Sequence, residues 1–357
     1  MIIARTPYRI SFFGGGTDYP GWYREHGGAV IAATIDKYCY LTVRHLPPFF
    51  EHRHRVVWSK IEQVGQIDEI SHPAVRGILK YAGVERGLEI HHDGDLPARS
   101  GMGSSSAFTV SLLNALHGLH GQMTSKHKLA MEAIHVEQTV LKETVGSQDQ
   151  VSAAYGGFNH IRFLQNGEIS VAPITVSSAR AHELDSHLML FYTGIKRTAS
   201  EVADTYVQNI NHKKRQLRIM YDMVQESIEI LASNKPINDF GALLDETWQL
   251  KRNLSSTVSN SDVDDIYQKA RDAGAIGGKL LGAGGGGFML IFAPPNCQER
   301  IRHTLNHLIH VPFKFEYSGS QIIFFDHEND YSEEEQRRKS MNVSSAKELR
   351  EIGGAAS

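Results

Sequence analysis

The segment that most restricts the fold of this chain runs from Leu96 to Ala107 and reads LPARSGMGSSSA. A proline-led loop with two glycines leads into three serines and then into an apolar periodic stretch, Phe108, Leu112, Ala115 and Leu119. This order predicts a loop that opens onto the N-terminus of a helix. Free backbone N–H groups and the positive end of the helix dipole favour an anion there, and glycines let a phosphate approach the backbone. Taken alone, the segment also fits a simple serine cap after a flexible turn.

A second glycine-rich segment, KLLGAGGGGF, spans Lys279 to Phe288. It matches G-x-G-x-x-G, but a dinucleotide-binding loop needs a strand before the glycines and a helix after them. Here a helical segment precedes the glycines and a predicted strand follows, so the order argues against that loop. A Walker A loop is excluded as well, because Gly274 and Gly278 are one residue too close and Leu280 replaces the required Ser or Thr. Since four consecutive glycines cost backbone entropy, we expect them to approach a ligand or another loop closely.

A third cluster, Gly14–Gly16, lies in the segment RTPYRISFFGGGTDY. An arginine begins an otherwise apolar predicted strand, and Asp18 follows the triple-glycine turn. Such residues are common as an edge arginine and as an aspartate that closes its own turn. This segment therefore becomes informative only together with the others.

Two carboxylates are candidates for chemistry. In a predicted helix over 125–144, Glu137 shares one stripe with the apolar residues Ala130, Ile134 and Leu141. A buried carboxylate must be paired or metal-bound. Asp149 follows twelve residues later in a polar turn, so the two acids can divide the work, one holding a cation and one acting as a base. A basic partner for Glu137 and a surface turn for Asp149 remain the alternative.

Composition sets the broad class. The chain has 357 residues, enough for about two domains. Its net charge of −3 argues against nucleic acid as a partner. No apolar run approaches the ~20 residues of a membrane span, and the N-terminus lacks a signal-peptide pattern, so we expect a cytoplasmic protein without a membrane partner. Two cysteines form no disulfide framework.

Strand and helix patterns predict an α+β protein of two subdomains, because strand patterns dominate the first half and helical patterns fill 199–273. We expect an N-terminal domain over 1–180, a C-terminal domain over 181–326 and a charged tail over 327–357. Predicted strands cover 38–44, 55–59, 88–91, 157–163, 187–192, 288–293, 313–317 and 321–325. Predicted helices cover 105–120, 125–144, 199–233, 240–254 and 263–273.

Taken in order, these segments resemble the GHMP small-molecule kinases, a family that includes galactokinase, homoserine kinase and mevalonate kinase. Three signatures match: the arginine-containing first strand, the P-x-x-x-G-x-G-S-S loop, and the glycine block before a strand. The resemblance implies an ATP- and Mg²⁺-dependent kinase. It also implies an N-terminal domain like ribosomal protein S5 domain 2, a ferredoxin-like C-terminal domain, and an active site between them.

The resemblance assigns roles residue by residue. Asp149 corresponds to the base that faces the accepting hydroxyl, and Arg9 to the basic residue beside it. Glu137 and Ser105 correspond to the magnesium ligands. ATP would contact the phosphate loop through Gly101, Met102, Gly103, Ser104, Ser105 and Ser106. Its adenine would contact Trp58 and Ser59, at the end of the predicted strand over 55–59. The acceptor substrate would contact two glycine turns: Gly16, Thr17, Asp18, Gly284, Gly285 and Gly286.

The amino-acid sequence of the first turn bears on the identity of the acceptor substrate. Galactokinases read E-H-T-D where this chain reads Gly15–Asp18, GGTD, which implies an acceptor other than galactose. The segment RISFFGGGTDY, with FYTGIKRTAS further on, looks most like heptose 7-phosphate kinases, which phosphorylate the anomeric hydroxyl; L-fucose kinases are the alternative. Lys196 and Arg197 are candidates to bind the phosphate of such a sugar phosphate, and Arg99 and Arg44 are other candidates. A non-catalytic member of the family, and a monomer or a homodimer, also remain open.

Overall fold

The computed structural model describes residues 1–195, 213–255, 257–327 and 331–340. Within them the strands are β1 (Ile2–Phe13), β2 (Gly28–His45), β3 (His54–Val57), β4 (Ile61–Val64), β5 (Leu88–Gly94), β6 (Phe158–Phe163), β7 (Ile169–Pro173), β8 (Leu188–Tyr192), β9 (Gly277–Leu280), β10 (Phe288–Phe292), β11 (Ile309–His310), β12 (Phe315–Glu316) and β13 (Gln321–Phe325). The α-helices are α1 (Pro20–His26), α2 (Pro73–Tyr81), α3 (Ser104–Leu119), α4 (Lys126–His135), α5 (Gln148–Tyr155), α6 (Ser178–Ser186), α7 (Lys214–Ala232), α8 (Asn238–Arg252), α9 (Ser261–Asp272), α10 (Gln298–Thr304) and α11 (Ser332–Ser340).

Two sheets organise the molecule. The larger has the strand order β13-β1-β2-β5-β3-β4, with β6 and β12 also paired to β2 and β7 paired to β6. The smaller has the order β11-β8-β10-β9. Only the pairing of β3 with β5 is parallel; the other pairings between described strands are antiparallel. The predicted α+β class is confirmed. The division at residue 180 stays a prediction, and β12 and β13, from the end of the predicted second domain, pair with the first sheet.

The end of β1 lies where the two sheets meet. Its second half is buried on both faces, and the rings of Phe12 and Phe13 contact the ring of Phe240 in α8 edge-to-face, with centroids 5.7 and 4.9 Å apart. Helix α3 is buried around most of its circumference, as expected for a helix that runs through the interior. The turn after β1 and the loop before α3 are therefore both anchored to buried, well-packed elements.

Most of the predicted elements are present, and the differences have local causes. The predicted helix over 125–144 ends early, because α4 passes into a π-helical turn over Val136–Val140 and Lys142 adopts a left-handed conformation with φ of 56°. Strand β2 starts ten residues before its prediction at Tyr38, since Gly28–Ile35 is continuously buried and lacks the alternation that marks a half-exposed strand. Of the helix predicted over 199–233, the described part is α7. No helix in the described ranges is long and apolar enough to span a membrane.

A buried histidine on β3 gives the fold a pH dependence. His54 is 2% exposed, and its Nδ1 accepts a hydrogen bond from the backbone N–H of Leu88 at 3.3 Å. Burial, with the charge of Arg53, lowers the pKa of His54 from 6.5 to about 4. The unfolded chain thus binds more protons between these pKa values, so stability present above pH 6.5 is lost as the pH falls towards 4.

We expect the free energy of unfolding to fall by about 2 kcal/mol between pH 7 and pH 5 through His54. Denaturant unfolding of the wild type and of His54→Gln at both pH values measures this difference. The variant should lose that part of the pH dependence, and an identical dependence in both proteins would contradict the assignment.

Candidate active site

The loop before α3 has the geometry predicted for an anion site. Arg99, Gly101 and Gly103 all have positive φ, at 58°, 80° and 72°, and α3 begins directly after them at Ser104. The backbone N–H of Arg99 donates to the hydroxyl of Ser104 at 3.2 Å, which closes the loop. The unpaired N–H groups of the first helical turn are thereby presented at the loop, where an anion is stabilised.

The glycine block after β9 packs backbone to backbone against this loop. A Cβ on Gly101 would lie 2.5 Å from the carbonyl oxygen of Leu281, and one on Gly287 would lie 2.2 Å from that of Ser100. The backbone N–H of Phe288 donates to the carbonyl of Ser100 at 3.2 Å. The sequence predicted that the consecutive glycines approach either a ligand or another loop closely, and the structure shows close contact with another loop.

The glycines assigned to the substrate have other neighbours than expected. Gly284 and Gly285 lie against Val258, whose carbonyl accepts the N–H of Gly285 at 2.9 Å. A Cβ on Gly286 would lie 2.4 Å from the carbonyl oxygen of Ile195. Close backbone packing therefore accounts for these glycines, and a substrate contact through Gly284–Gly286 stays a prediction.

The structure brings Arg9 and Asp149 together across 140 residues of chain. The guanidinium of Arg9 donates to both carboxylate oxygens of Asp149, at 2.7 and 2.6 Å, and also to the carbonyl of Gly101 at 2.7 Å. Arg9 is buried, whereas the Asp149 side chain is 24% exposed. A bidentate contact between arginine and carboxylate fixes the geometry of both side chains. The pair therefore forms a fixed, charged junction between β1, α5 and the phosphate loop.

The turn after β1 differs in part from its predicted role. Asp18 is 1% exposed, and its two oxygens accept the backbone N–H groups of Gly16 at 2.9 Å and Gln148 at 3.3 Å. Burial raises the pKa of Asp18, and the charge of Asp149 adds to the effect. The buried hydroxyl of Thr17 shares its proton between the carbonyls of Gly14 and Ala29, at 2.8 and 2.9 Å, and accepts the backbone N–H of Ala29 at 3.1 Å. Thr17 therefore shapes the turn, instead of presenting a hydroxyl to a substrate.

Glu137 is buried as predicted, but its serine neighbour is not the one expected. The hydroxyl of Ser106, one residue beyond Ser105, donates to Glu137 Oε2 at 2.9 Å, and the amide of Gln150 donates to the same oxygen. Ser105 itself is exposed, because α3 turns its side chain away from the interior at that position. Burial raises the pKa of Glu137 to about 7.

The residues around Glu137 fit a divalent cation. Its second oxygen, Oε1, is buried and lacks a hydrogen-bond partner within the described part of the chain. Hydroxyl and carboxylate oxygens are the ligands that Mg²⁺ prefers, and a nucleotide phosphate at the adjacent loop would supply others. Glu137 and Ser106 are therefore the side chains that fit the ion, with Ser105 a sequence prediction.

Trp58 and Ser59 lie after β3, in the turn before β4. Ser59 is exposed, and the indole N–H of Trp58 donates to Glu62 at 2.8 Å. The Trp58 ring meets that of His72 edge-to-face at 4.8 Å, and His72 stacks on Phe108 of α3 at 5.1 Å. This aromatic group beside the phosphate loop is compatible with a flat base, and the sequence reasoning missed His72 and Phe108 as its members.

Two lysines of the C-terminal half also reach the site, and the sequence reasoning missed both. Lys251 Nζ on α8 donates to the carbonyls of Leu280, at 3.2 Å, and Gly282. Lys279 Nζ on β9 donates to the carbonyl of Phe12 at 2.8 Å. Burial lowers the pKa of Lys251 to about 8 and that of Lys279 well below its usual value. Lys251 belongs to no glycine or serine motif, and Lys279 begins the segment KLLGAGGGGF without a role of its own there, so only the packing of α8 and β9 reveals them. Lys196 and Arg197 lie outside the described residues.

The chain is similar to several known kinases. The chain is 29% identical to D-glycero-alpha-D-manno-heptose 7-phosphate kinase of Campylobacter jejuni, over 85% of this chain and 93% of the relative. It is 32% identical to the mevalonate kinase of Methanothermobacter thermautotrophicus, over 64% of this chain and 74% of that protein. A crystal structure described as a D-glycero-D-manno-heptose 1-phosphate kinase, from Bacteroides thetaiotaomicron, shares the fold with a TM-score of 0.76. It has 22% identity and covers 92% of this chain and 100% of the other.

Family models match both halves of the molecule. The model described as GHMP kinases N terminal domain matches residues 70–157, which include the phosphate loop, Glu137 and Asp149. The model described as GHMP kinases C terminal matches residues 231–309, which include Lys251 and the glycine block. The chain therefore belongs to the GHMP kinase family and is an ATP-dependent phosphotransferase with an alcohol group as acceptor.

Proposed function

We propose that this kinase transfers the γ-phosphoryl group of ATP to the anomeric C1 hydroxyl of D-glycero-D-manno-heptose 7-phosphate. The product is the 1,7-bisphosphate, an intermediate for nucleotide-activated heptose and surface glycans. The observation that carries the proposed chemistry is the bidentate contact of Arg9 with Asp149 directly beside the phosphate loop. The choice of acceptor is supported by the resemblance of the first turn and by the relative from Campylobacter jejuni.

The residues at the site can perform this transfer. The N-terminal turn of α3 and the loop glycines bind the triphosphate through backbone N–H groups. Glu137 and Ser106 would hold Mg²⁺, which would supply neutralisation of phosphate charge. Asp149 accepts the proton of the acceptor hydroxyl, and Arg9 holds that carboxylate in place through two hydrogen bonds. A loose transition state needs little help from a base, so positioning by Asp149 contributes as well.

The acceptor lies, in this proposal, between the turn of Gly16–Asp18 and the phosphate loop. Asp18 joins that turn to the start of α5 and so sets the distance between the turn and Asp149. Glycines in place of the bulkier galactokinase residues leave room for a seven-carbon sugar. The far phosphate needs cations, for which Lys196 and Arg197 remain the candidates.

A coupled kinase assay across heptose 7-phosphate, L-fucose, galactose and mannose tests the proposal. We expect the highest kcat/KM with heptose 7-phosphate, and NMR of the product should show the new phosphate on C1. A preference for L-fucose, the alternative acceptor, or phosphorylation at another carbon, would contradict it.

The basic pair gives a second test. We expect Lys196→Ala combined with Arg197→Ala to raise the KM for heptose 7-phosphate by more than about 100-fold, since each charged hydrogen bond contributes roughly 1.5–3 kcal/mol. The KM for ATP should change less than threefold. Steady-state kinetics with each substrate varied measures both values, and equal increases for the two substrates would remove the pair from the sugar-phosphate site. Lys80→Ala, which removes an exposed partner of Asp68, is the control.

A further inference from the structure

We propose that Lys251 is a further catalytic residue, and that its ammonium group binds the transferred phosphoryl group from the side opposite the phosphate loop. This inference rests on the proposed function only in its phosphoryl transfer and not in the identity of the acceptor.

The position of Lys251 is fixed by the contact of the two glycine loops. Its Nζ donates to the carbonyls of Leu280 and Gly282, and a Cβ on Gly282 would lie 2.4 Å from the Cα of Gly101. The carbonyl of Gly101 in turn accepts a hydrogen bond from Arg9 at 2.7 Å. Lys251 is thus one backbone layer from the phosphate loop and from the Arg9–Asp149 pair.

The ammonium lacks a counter-charge of its own. Both acceptors of Lys251 are backbone carbonyls, and no carboxylate within the described residues forms an ion pair with it. An ammonium has three donors, so one N–H remains for a ligand. A partly buried cation next to a phosphate-binding loop gains most when an anion supplies the missing charge.

The surrounding charges favour the arrival of a phosphoryl group. Arg9 from β1 and Lys279 from β9 face Lys251 as cations or donors, while Asp18 from the first turn and Asp149 from α5 are the nearby carboxylates. Burial and Arg9 lower the pKa of Lys251 to about 8, and the two carboxylates act in the opposite direction. A bound phosphoryl group would raise this pKa and keep the ammonium protonated.

Lys279 is the less suitable of the two lysines. Its Nζ is fully buried against the carbonyl of Phe12, and Lys251 and Arg9, together with burial, lower its pKa well below the usual value. A group held in this way joins β9 to β1, so we assign the phosphoryl contact to Lys251 alone.

Nucleotide binding without any sugar tests this role directly. We expect Lys251→Met to weaken binding of the β,γ-imido analogue of ATP about tenfold or more, with the affinity for ADP unchanged within threefold. Calorimetry at constant Mg²⁺ measures both. Lys126→Met is the matched control, since Lys126 also donates to a backbone carbonyl, that of Tyr155 at 2.7 Å, on the exposed surface. An unchanged ratio of the two affinities in Lys251→Met would overturn the proposal.

Steady-state kinetics distinguish a contact of Lys251 with the transferred phosphoryl group from a contact with the acceptor. Loss of one donor to the transition state should lower kcat about 10²–10³-fold with little change in the KM for the sugar phosphate. A large rise in that KM with kcat and the affinity ratio unchanged would make Lys251 an acceptor ligand and overturn the proposal. Failure of the heptose assignment would instead appear only in the acceptor panel.

The charge-conserving variant Lys251→Arg allows the proposal to be tested even if Lys251→Met does not fold. In the wild type, kcat/KM for ATP should decline as the pH rises through about 8, as the ammonium of the free enzyme loses its proton. Lys251→Arg should retain part of the activity and remove this decline, because arginine stays charged. An identical alkaline limb in both proteins would overturn the proposal.

Discussion

Asp149→Asn is expected to lower kcat about 10³-fold, while the affinity for ATP changes less than threefold. The substitution keeps the shape of the side chain but removes the charge that Arg9 holds in place through two hydrogen bonds. A positioned general base contributes about 10²–10⁴-fold in enzymes generally, and loss of the carboxylate also removes the positioning of the acceptor hydroxyl. Asp149 does not belong to the phosphate loop itself, so nucleotide binding should persist.

Steady-state kinetics and analogue binding measure these two effects together. Arg9→Lys provides the companion variant, because lysine preserves the charge but cannot make the bidentate contact. If Arg9 acts mainly through Asp149, the double variant should be little slower than Asp149→Asn alone. Turnover within threefold of the wild type in Asp149→Asn would remove the carboxylate from the mechanism.

The sequence allowed the local parts of this site to be predicted but not the contacts between distant segments. The loop before α3 was predictable, because glycines, serines and apolar periodicity lie within one short stretch. Glu137 was predictable as a buried acid from a helical stripe. The neighbour of Glu137 was not, since Ser105 and Ser106 are adjacent and only the exact start of α3 decides which one faces inward.

Lys251 shows more clearly which features of the site cannot be predicted from the sequence. It lies near the end of an amphipathic helix, where a lysine ordinarily serves the helix dipole or the solvent. Only the packing of α8 against the glycine loop directs its ammonium to the carbonyls of Leu280 and Gly282. The return of β12 and β13 to the first sheet has the same origin, because pairing partners far apart in the chain carry no local signal.

Gly101→Ala is expected to be as damaging as a change in the catalytic pair, although it adds only one methyl group. Gly101 has φ of 80°, and the new Cβ would lie 2.5 Å from the carbonyl oxygen of Leu281. The left-handed backbone costs roughly 1–2 kcal/mol and overpacking about 1–3 kcal/mol more. We therefore expect the free energy of unfolding to fall by about 3 kcal/mol and kcat/KM for ATP to fall more than 100-fold.

Gly121→Ala separates the effect of backbone strain from the effect of overpacking against another loop. Gly121 follows the other end of α3 and has φ of 66°, but a Cβ there would meet nothing within 4 Å. It should carry only the backbone strain of roughly 1–2 kcal/mol, with kinetics like those of the wild type. Denaturant unfolding and ATP kinetics of both variants measure the difference. Because the carbonyl of Gly101 holds Arg9, displacement of the loop should reach the Arg9–Asp149 pair. Equal behaviour of the two variants would mean that the contact between the glycine loops does not position the catalytic groups.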